Sequence, residues 1–442
     1  MCIRDRVGTY DVLQWLFFNI QLGAIASEIT LCGGESATDY IGIQQIDDMT
    51  HYPENNVLRQ IWQFLYEGVN RANYMEENKA NIDFEGKEAM YGEVYFLRAY
   101  YYFELVKFFG DVPLFTEARL TAGQAGTLTR TPKDEVYAQI ELDLQNAIAS
   151  LPNSQSQVGR VNKYTAYALL GKVLLYQDKF AEAASALDNV IGVYSLVSDY
   201  GSQFLRFGEN GPESVFEIQY SNQSNWYDWG CVHCSEGNYA IIMNGPRGWS
   251  GPEYAQGWSF NVPTEEFYNS FEEGDSRRDA TVLDIEAFAA ATGASYTEGY
   301  DHTGYFNNKY IPRAGESGGQ TELNYLTNFR IIRYSDVLLM AAEAYNRGGI
   351  DDGLAQEFLN QVRRRAFGGD DNDISASGSA LTDAIWEERK FELSLEGHRF
   401  FDLVRTGRAS SLIAGFVEGK HEVFPIPQQE VDISGLTQNA GY

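Results

Sequence analysis

Through the first two hundred residues, apolar positions recur three and four apart, the spacing that lines one face of a helix. Residues near 11–29 carry the first such pattern. A second runs near 56–79, with Leu58, Ile61, Trp62, Leu65, Tyr66 and Val69 on one stripe. A third spans about 85–109 and stops at Gly110, and a fourth opens at Thr131-Pro132 with Glu135 in its first turn and reaches about Ser150. Proline at the first helical position forfeits no hydrogen bond. Residues 162–192 read as a helix pair. Ala166, Ala168, Leu169, Leu170, Val173, Leu174 and Tyr176 precede a break at Gln177-Asp178-Lys179, and Phe180, Ala183, Ala184 and Leu187 follow. Small residues beside large ones let two antiparallel helices approach closely, as in tetratricopeptide pairs. The theme returns over 330–366, where Ile331, Tyr334, Leu338, Ala341, Ala342 and Tyr345 precede Gly348-Gly349, and then Phe358, Leu359 and Val362.

Between the pairs, residues 200–330 lose the helical period and fill with Gly, Asn, Ser, Tyr and Trp. Val215 to Tyr220 alternates like a short strand, Thr264 to Phe271 reads as one short helix, and the rest is expected to be loop. Long loops inside a compact protein are usually functional. Final helices are expected near 379–396 and 398–406, before an irregular tail with Val423-Phe424-Pro425-Ile426-Pro427. The pattern predicts a mainly α protein: a tetratricopeptide-like helical-repeat scaffold with a large irregular, loop-rich insertion. One domain spans 1–442, with 11–200 and 330–406 as scaffold and 200–330 as the inserted ligand lobe.

The net charge of −29 repels phosphate backbones and anionic lipid, which argues against nucleic-acid binding. It suits a neutral or cationic ligand. No apolar run is long enough for a transmembrane helix. Arg4 and Arg6 ahead of Val12 to Phe18 imitate a signal peptide, but Asp11, Gln14, Asn19 and Gln21 interrupt the run, so an amphipathic first helix is expected. The opening Met1-Cys2-Ile3-Arg4-Asp5-Arg6 resembles translated adapter sequence, and the natural start is expected to be missing.

Candidate chemistry is sparse. Cys231-Val232-His233-Cys234 has flanks that look like loop, so a local disulfide or two quiet thiols is the favoured reading over a redox or zinc site. No nucleophile with an activating base, phosphate loop or metalloprotease signature occurs, and no cofactor or metal is expected. Arg389, Glu392, Glu396 and Arg399 lie three or four apart, as in an internal salt-bridge ladder.

Several segments then fall into a known order. Asn70-Arg71-Ala72-Asn73 comes first. Glu93 to Phe103 leads to Phe109-Gly110-Asp111-Val112-Pro113-Leu114, and Gly159-Arg160-Val161-Asn162-Lys163 precedes Ala166 to Leu170. Ile332-Arg333-Tyr334-Ser335-Asp336 precedes Ala342-Glu343-Ala344. Glu388-Arg389 leads to Glu392 and to Glu396-Gly397-His398-Arg399-Phe400-Phe401-Asp402, and Phe424-Pro425-Ile426-Pro427 and Gln438-Asn439-Ala440-Gly441-Tyr442 end the chain. In these segments the sequence resembles the SusD/RagB family of Bacteroidetes-like bacteria, from residue 11 to the C-terminus. The resemblance implies a non-catalytic, surface-exposed outer-membrane lipoprotein. Such a protein captures oligosaccharides for a SusC-like TonB-dependent transporter. The alternatives are a secreted hydrolase on a helical scaffold and a peptide-binding variant of the same capture role. The lipid anchor the family carries on an N-terminal Cys is not assigned to Cys2, so membrane contact is expected only through an anchor absent from this chain.

The family segments lie on the scaffold, so Arg98, Arg333, Arg389 and Arg399 are expected to pin helices, and ligand recognition should lie elsewhere. Four of the seven tryptophans fall in 226–260, among six glycines and two prolines. Flat rings match the C–H faces of sugars, and amide or carboxylate groups bond their hydroxyls. Trp226, Trp229 and Trp249 are the leading stacking candidates, followed by Tyr239, then Trp258. Asn225, Asp228, Asn238 and Asn244 are rim candidates, with Asp39 and Tyr40 as outer ones.

Overall fold

The computed structural model describes residues 2–223, 231–317 and 323–442. In chain order its helices are α1 (Cys2–Asp11), α2 (Phe17–Ile25), α3 (Ile41–Asp47), α4 (Asn56–Glu77), α5 (Lys87–Phe109), α6 (Lys133–Ser150), α7 (Lys163–Leu175), α8 (Phe180–Leu187) and α9 (Ala240–Asn244). There follow α10 (Glu265–Asn269), α11 (Arg277–Thr281), α12 (Ile285–Thr292), α13 (Tyr334–Arg347), α14 (Asp352–Phe367), α15 (Gly378–Leu393), α16 (Arg399–Arg405), α17 (Ala409–Leu412) and α18 (Gln428–Ser434). The strands are short: β1 (Thr30–Gly33), β2 (Ser214–Ile218), β3 (Arg247–Ser250), β4 (Phe260–Pro263), β5 (Val282–Asp284), β6 (Ser295–Thr297), β7 (Tyr305–Asn307) and β8 (Phe329–Arg333). The protein is mainly α, with helical pairs where the periodicity predicts them.

Two compact units emerge from the contacts. Unit 1 holds residues 1–16, 51–190 and 416–442, and unit 2 holds 17–50 and 191–415. The helices of 334–405 therefore group with the 191–333 stretch. The helix expected over 11–29 is broken: a 3-10 turn over Val12–Trp15 separates α1 from α2, and the unit division falls at that break.

In unit 1, Asn55 starts α4 by accepting the N–H groups of Val57 and Leu58, satisfying donors the helix itself leaves unpaired. Of the predicted stripe, Leu58, Ile61, Trp62, Leu65 and Val69 are buried and Tyr66 is half-buried. The chain then builds α5, whose residues from Met90 to Val106 are buried without interruption; a helix apolar all round is a core helix. It packs against α4 and α6, and Arg98 joins Asp143 of α6 at 2.7 Å. The pair α7–α8 closes tightly because Gly171 leaves room for Leu187: a Cβ there would stand 2.5 Å from the leucine side chain. The C-terminal tail, expected to be irregular, forms α18 after Pro427.

In unit 2, four two-stranded antiparallel ribbons (β1–β4, β2–β8, β3–β6 and β5–β7) brace short helices. The 200–330 stretch is thus more ordered than its composition predicts, since one strand and one helix were expected there. Short ribbons carry little periodicity, because each has only three to five residues and draws its stability from neighbours. Gly23 and Gly397 meet backbone to backbone: a Cβ on Gly23 would lie 2.0 Å from the Gly397 carbonyl oxygen.

Beneath these elements lies a lattice of buried ions. Arg277 binds Asp275 and Glu388, at 2.6 and 2.5 Å, and Glu392 at 3.2 Å. Arg333 reaches Glu213, Glu392 and Glu396 at 2.6–2.8 Å, and Lys309 reaches Glu396 at 2.7 Å. The ladder expected along α15 is not formed. Arg389 pairs instead with Asp336 and Asp402, and Arg399 with Glu28. Their helical spacing records which face is buried, and the partners come from other elements. Burial alone would raise the Glu392 carboxyl, but Arg365, Arg333 and Arg277 outweigh it and hold it well below the usual carboxylate range. Lys309 goes the other way: burial, opposed by Glu396 and aided by Arg333, brings it down to about 8.

Candidate functional site

Unit 2 brings several of the predicted aromatics together. From Trp258 the rings run edge to face onto Tyr239 (centroids 5.5 Å) and Tyr239 onto Phe17 (4.8 Å). Phe17 touches Phe18 (4.4 Å), Phe18 meets Tyr40 (5.4 Å), and Tyr40 meets Phe260 (6.3 Å). Edge-to-face contacts of this kind are favoured by the ring quadrupoles. Tyr239 is 7% exposed, so it supports the cluster from inside. Burial raises its hydroxyl pKa, with the Tyr40 and Asp39 charges adding to the effect. Tyr40 and Trp258 are partly exposed and form the accessible part.

Asp39 organises the loop before Tyr40. Its Oδ2 accepts the Glu35 N–H at 2.8 Å and the Arg247 guanidinium at 2.7 Å. The loop is tied down by Gly34 N–H to Ser259 O (2.7 Å) and by Tyr300 N–H to Gly34 O (2.8 Å). Tyr40 itself holds a left-handed backbone, φ 49°, which is uncommon for a residue with a side chain and concentrates at functional sites.

Arg247 and Trp249 are two apart on β3, whose pairing with β6 is irregular between Arg247 and Ser250, with Gly248 left-handed at φ 58°; both are partly exposed while Gly248 and Ser250 are exposed. Trp249 lies apart from the Tyr239 cluster, against Tyr254 (5.9 Å) and Phe288 (6.0 Å). The Arg247 Nε and the Trp249 Nε1 are shielded from solvent yet find no hydrogen-bond acceptor among the described residues. Neither donor has exposed surface, so a ligand hydroxyl reaches them only when neighbouring side chains move aside.

Trp226 and Trp229, with Asn225 and Asp228, lie outside the described residues. Two rim expectations need correction. Asn238 is buried and bonds the Thr327 carbonyl and the Ala240 N–H, while Asn244 is buried and bonds the Tyr310 carbonyl. Both are spent on the backbone of a segment with few regular hydrogen bonds. Arg247 escaped the sequence reading, although it is the one Lys or Arg in 226–260, a signal that was available. Cys231 and Cys234 form a disulfide, with His233 Nε2 3.4 Å from the Cys231 sulfur.

Comparison with known proteins follows this geometry. A chain described as a laminarin-binding SusD-like protein superposes with TM-score 0.91 at 36% identity, covering 100% of this chain and 99% of its own. The chain belongs to the SusD family. Residues 212–420 match that family directly, and residues 32–175 match the family described as starch-binding, associating with the outer membrane. SusD-like protein P2 of Formosa agariphila is 29% identical over 432 residues, covering 90% of this chain and 83% of that protein. Surface glycan-binding protein A from Bacteroides thetaiotaomicron, solved with laminarihexaose, has TM-score 0.89 at 29% identity, covering 99% of this chain and 98% of its own. Family membership associates the protein with the outer membrane. Among the described residues no helix is long and apolar enough to cross a membrane.

Proposed function

We propose that this SusD-family protein captures neutral oligosaccharides of the laminarin class on unit 2, without cleaving them, for transfer to a SusC-like TonB-dependent transporter. In its natural form a lipid anchor holds it at the cell surface. The observation that carries the site is on β3, where the partly exposed Trp249 offers a ring and where Arg247 Nε and Trp249 Nε1 have no acceptor among the described residues. The glycan class follows from the similarity to proteins described as binding laminarin or laminarihexaose. Asp39, Tyr40 and Trp258 would flank the sugar, and the 224–230 segment contributes Trp226 and Trp229 as stacking rings.

Calorimetry with laminarin oligosaccharides tests this reading. Wild type should bind, and Trp249→Ala, Trp226→Ala and Trp229→Ala should each bind more weakly while staying folded. If all three bind like wild type, the platform is elsewhere. Oligosaccharide length should be unchanged after prolonged incubation; shortened products would favour a hydrolase. Co-purification with the neighbouring transporter should give a stable complex, and independent elution would count against the transfer role.

A further inference from the structure

We propose a second carbohydrate site, in unit 1: the cleft between α4 and the 113–120 segment takes one pyranose ring of a neutral glycan, with one ring of the stacked Tyr66–Phe115 pair against its C–H face and Gln63, Asn70 and Glu430 on its hydroxyls. The ligand class rests on the glycan reading above; the site does not.

The cleft has a volume of about 200 Å³, room for roughly seven waters at ~30 Å³ each, about what one pyranose ring displaces. Its aromatic wall is held rigidly. The Tyr66 hydroxyl donates to the Pro113 carbonyl at 2.8 Å. The Phe115 backbone is bonded on both sides, its N–H to the Tyr102 hydroxyl (3.0 Å) and its carbonyl from Asn73 (2.8 Å). The two rings are nearly parallel, 12° apart in plane with centroids 5.7 Å apart, and Trp62 packs behind Tyr66 at 4.9 Å. Fixed rings lose little freedom on binding, which favours a small ligand.

The polar groups are left over from folding. Asn70 uses its carbonyl oxygen on the Leu120 N–H at 3.0 Å, which leaves its amide hydrogens to donate. Gln63 is exposed beside it. Glu430, on α18, is a partly buried carboxylate lining the same cleft. Its carboxylate has neither a hydrogen-bond donor nor an ion pair among the described residues; burial raises its pKa, and the Arg59 charge opposes this. A shielded carboxylate without donors is costly, and sugar hydroxyls are donors. Its charge would repel uronic or sulfated sugars, so the pocket selects neutral ones.

The test follows tryptophan indole N–H resonances of the whole protein during titration with laminaritriose and with methyl β-glucoside. Trp62→Phe assigns the Trp62 signal. In wild type the Trp62 signal should move with its own midpoint, distinct from that of Trp249. Phe115→Ala should weaken the Trp62 isotherm about tenfold, the loss expected for one stacked ring, and leave the Trp249 isotherm unchanged. Glu430→Gln, which keeps the shape, should weaken it in the same direction. A Trp62 signal that stays still while Trp249 saturates overturns the second site and leaves the unit 2 reading intact. So does a Trp62 midpoint unchanged in both variants. Movement of Trp62 without Trp249 keeps the second site and removes the unit 2 assignment. If neither moves with any neutral glycan, both fall.

Discussion

Arg333 and Arg247 both lie in unit 2, and both face carboxylates. Arg333 is 1% exposed, and its three nitrogens are taken up by Glu213, Glu392, Glu396, Gln203, Ser335 and the Glu392 carbonyl. Arg247 is 23% exposed, bonds Asp39 through one nitrogen, and leaves Nε without an acceptor among the described residues. The first arrangement spends every donor on holding elements in place. A charge taken from water is tolerable only when its partners replace that water, so such a group has nothing left for a ligand. The second retains an unspent donor beside a partly exposed tryptophan. The contrast holds for these two arginines and is not a rule for the unit, since Arg365 within the lattice also leaves its Nε without an acceptor among the described residues.

The largest effect should come from Glu392→Ala. That change removes the shared carboxylate of Arg277, Arg333 and Arg365 and leaves buried cations short of a partner. Breaking a buried pair typically costs about 3–5 kcal/mol, so denaturant unfolding should show at least that loss. Arg389→Ala, which takes one partner from Asp336 and one from Asp402 while Asp402 keeps Arg405, should cost somewhat less. In both variants the fraction still folded should bind glycan like wild type. A variant that melts normally but loses ligand would reverse the roles assigned to the two regions.

Next in size is Trp249. Trp249→Ala should weaken glycan binding about tenfold, a loss of ~1.4 kcal/mol, and also lower stability because the ring packs on Tyr254 and Phe288. Trp249→Phe separates the two contributions. It keeps an aromatic ring but deletes Nε1, and one neutral hydrogen bond is worth about 0.5–1.5 kcal/mol. Affinity should therefore fall roughly two- to tenfold with little change in melting. Unchanged affinity in Trp249→Phe would show that its unsatisfied donor is irrelevant to the ligand.

How much of this was legible in the sequence follows the same division. The stripe Leu58, Ile61, Trp62, Leu65 and Val69 located α4 because a long amphipathic helix repeats its signal over six turns. Arg389 and Glu396 were readable as buried and paired, since charged residues at helical spacing inside an apolar pattern have few other roles. Most of their partners were not readable, because Asp336, Lys309 and Arg333 arrive from elements far along the chain, and Asp402 from the next helix across a turn. The loop face was harder. Tyr40, Tyr239 and Trp258 do share one aromatic cluster, yet composition could not tell that Tyr239 is inside it. Asn238 and Asn244 have the residue type of a sugar rim, but a loop-rich segment needs buried amides to satisfy its own backbone. Arg247 was overlooked because attention to rings discounts a lone cation.

Asp39→Asn should produce a smaller change. Asparagine can still accept the Glu35 N–H, but the ion pair with Arg247 is lost. Both members are partly exposed, at 30% and 23%, so the stability cost should stay within about 0–1 kcal/mol. Hydrogen exchange should quicken at residues 34–40, and glycan affinity should drop a few-fold because Arg247 loses its orientation. An affinity loss as large as that of Trp249→Ala would mean Asp39 touches the ligand directly.

The last effect is spread over several pH units and concerns Asp47, a carboxylate treated in the opposite way to those of the lattice. It accepts the Cys32 N–H at 2.8 Å but has no ion pair among the described residues. Burial pushes its pKa up to about 7; the Cys32 N–H opposes this, and the Asp48 and Asp301 charges add to it. The unfolded chain should titrate near 3.9. Between about pH 4 and 7 the native state therefore holds more protons than the unfolded one, and stability falls as pH rises through that window. The stability it contributes is fully present below about pH 4 and is lost above about pH 7. The slope from this one group cannot exceed about 1.4 kcal/mol per pH unit, and partial exposure reduces it. Asp47→Asn keeps the acceptor for Cys32 and removes the titration. The difference in unfolding free energy between Asp47→Asn and wild type should grow in favour of the variant from pH 5 to pH 8, then level off. A difference that does not change with pH would show that Asp47 is ionised across the whole range, and that water or a cation meets its charge as fully as the arginines meet Glu392.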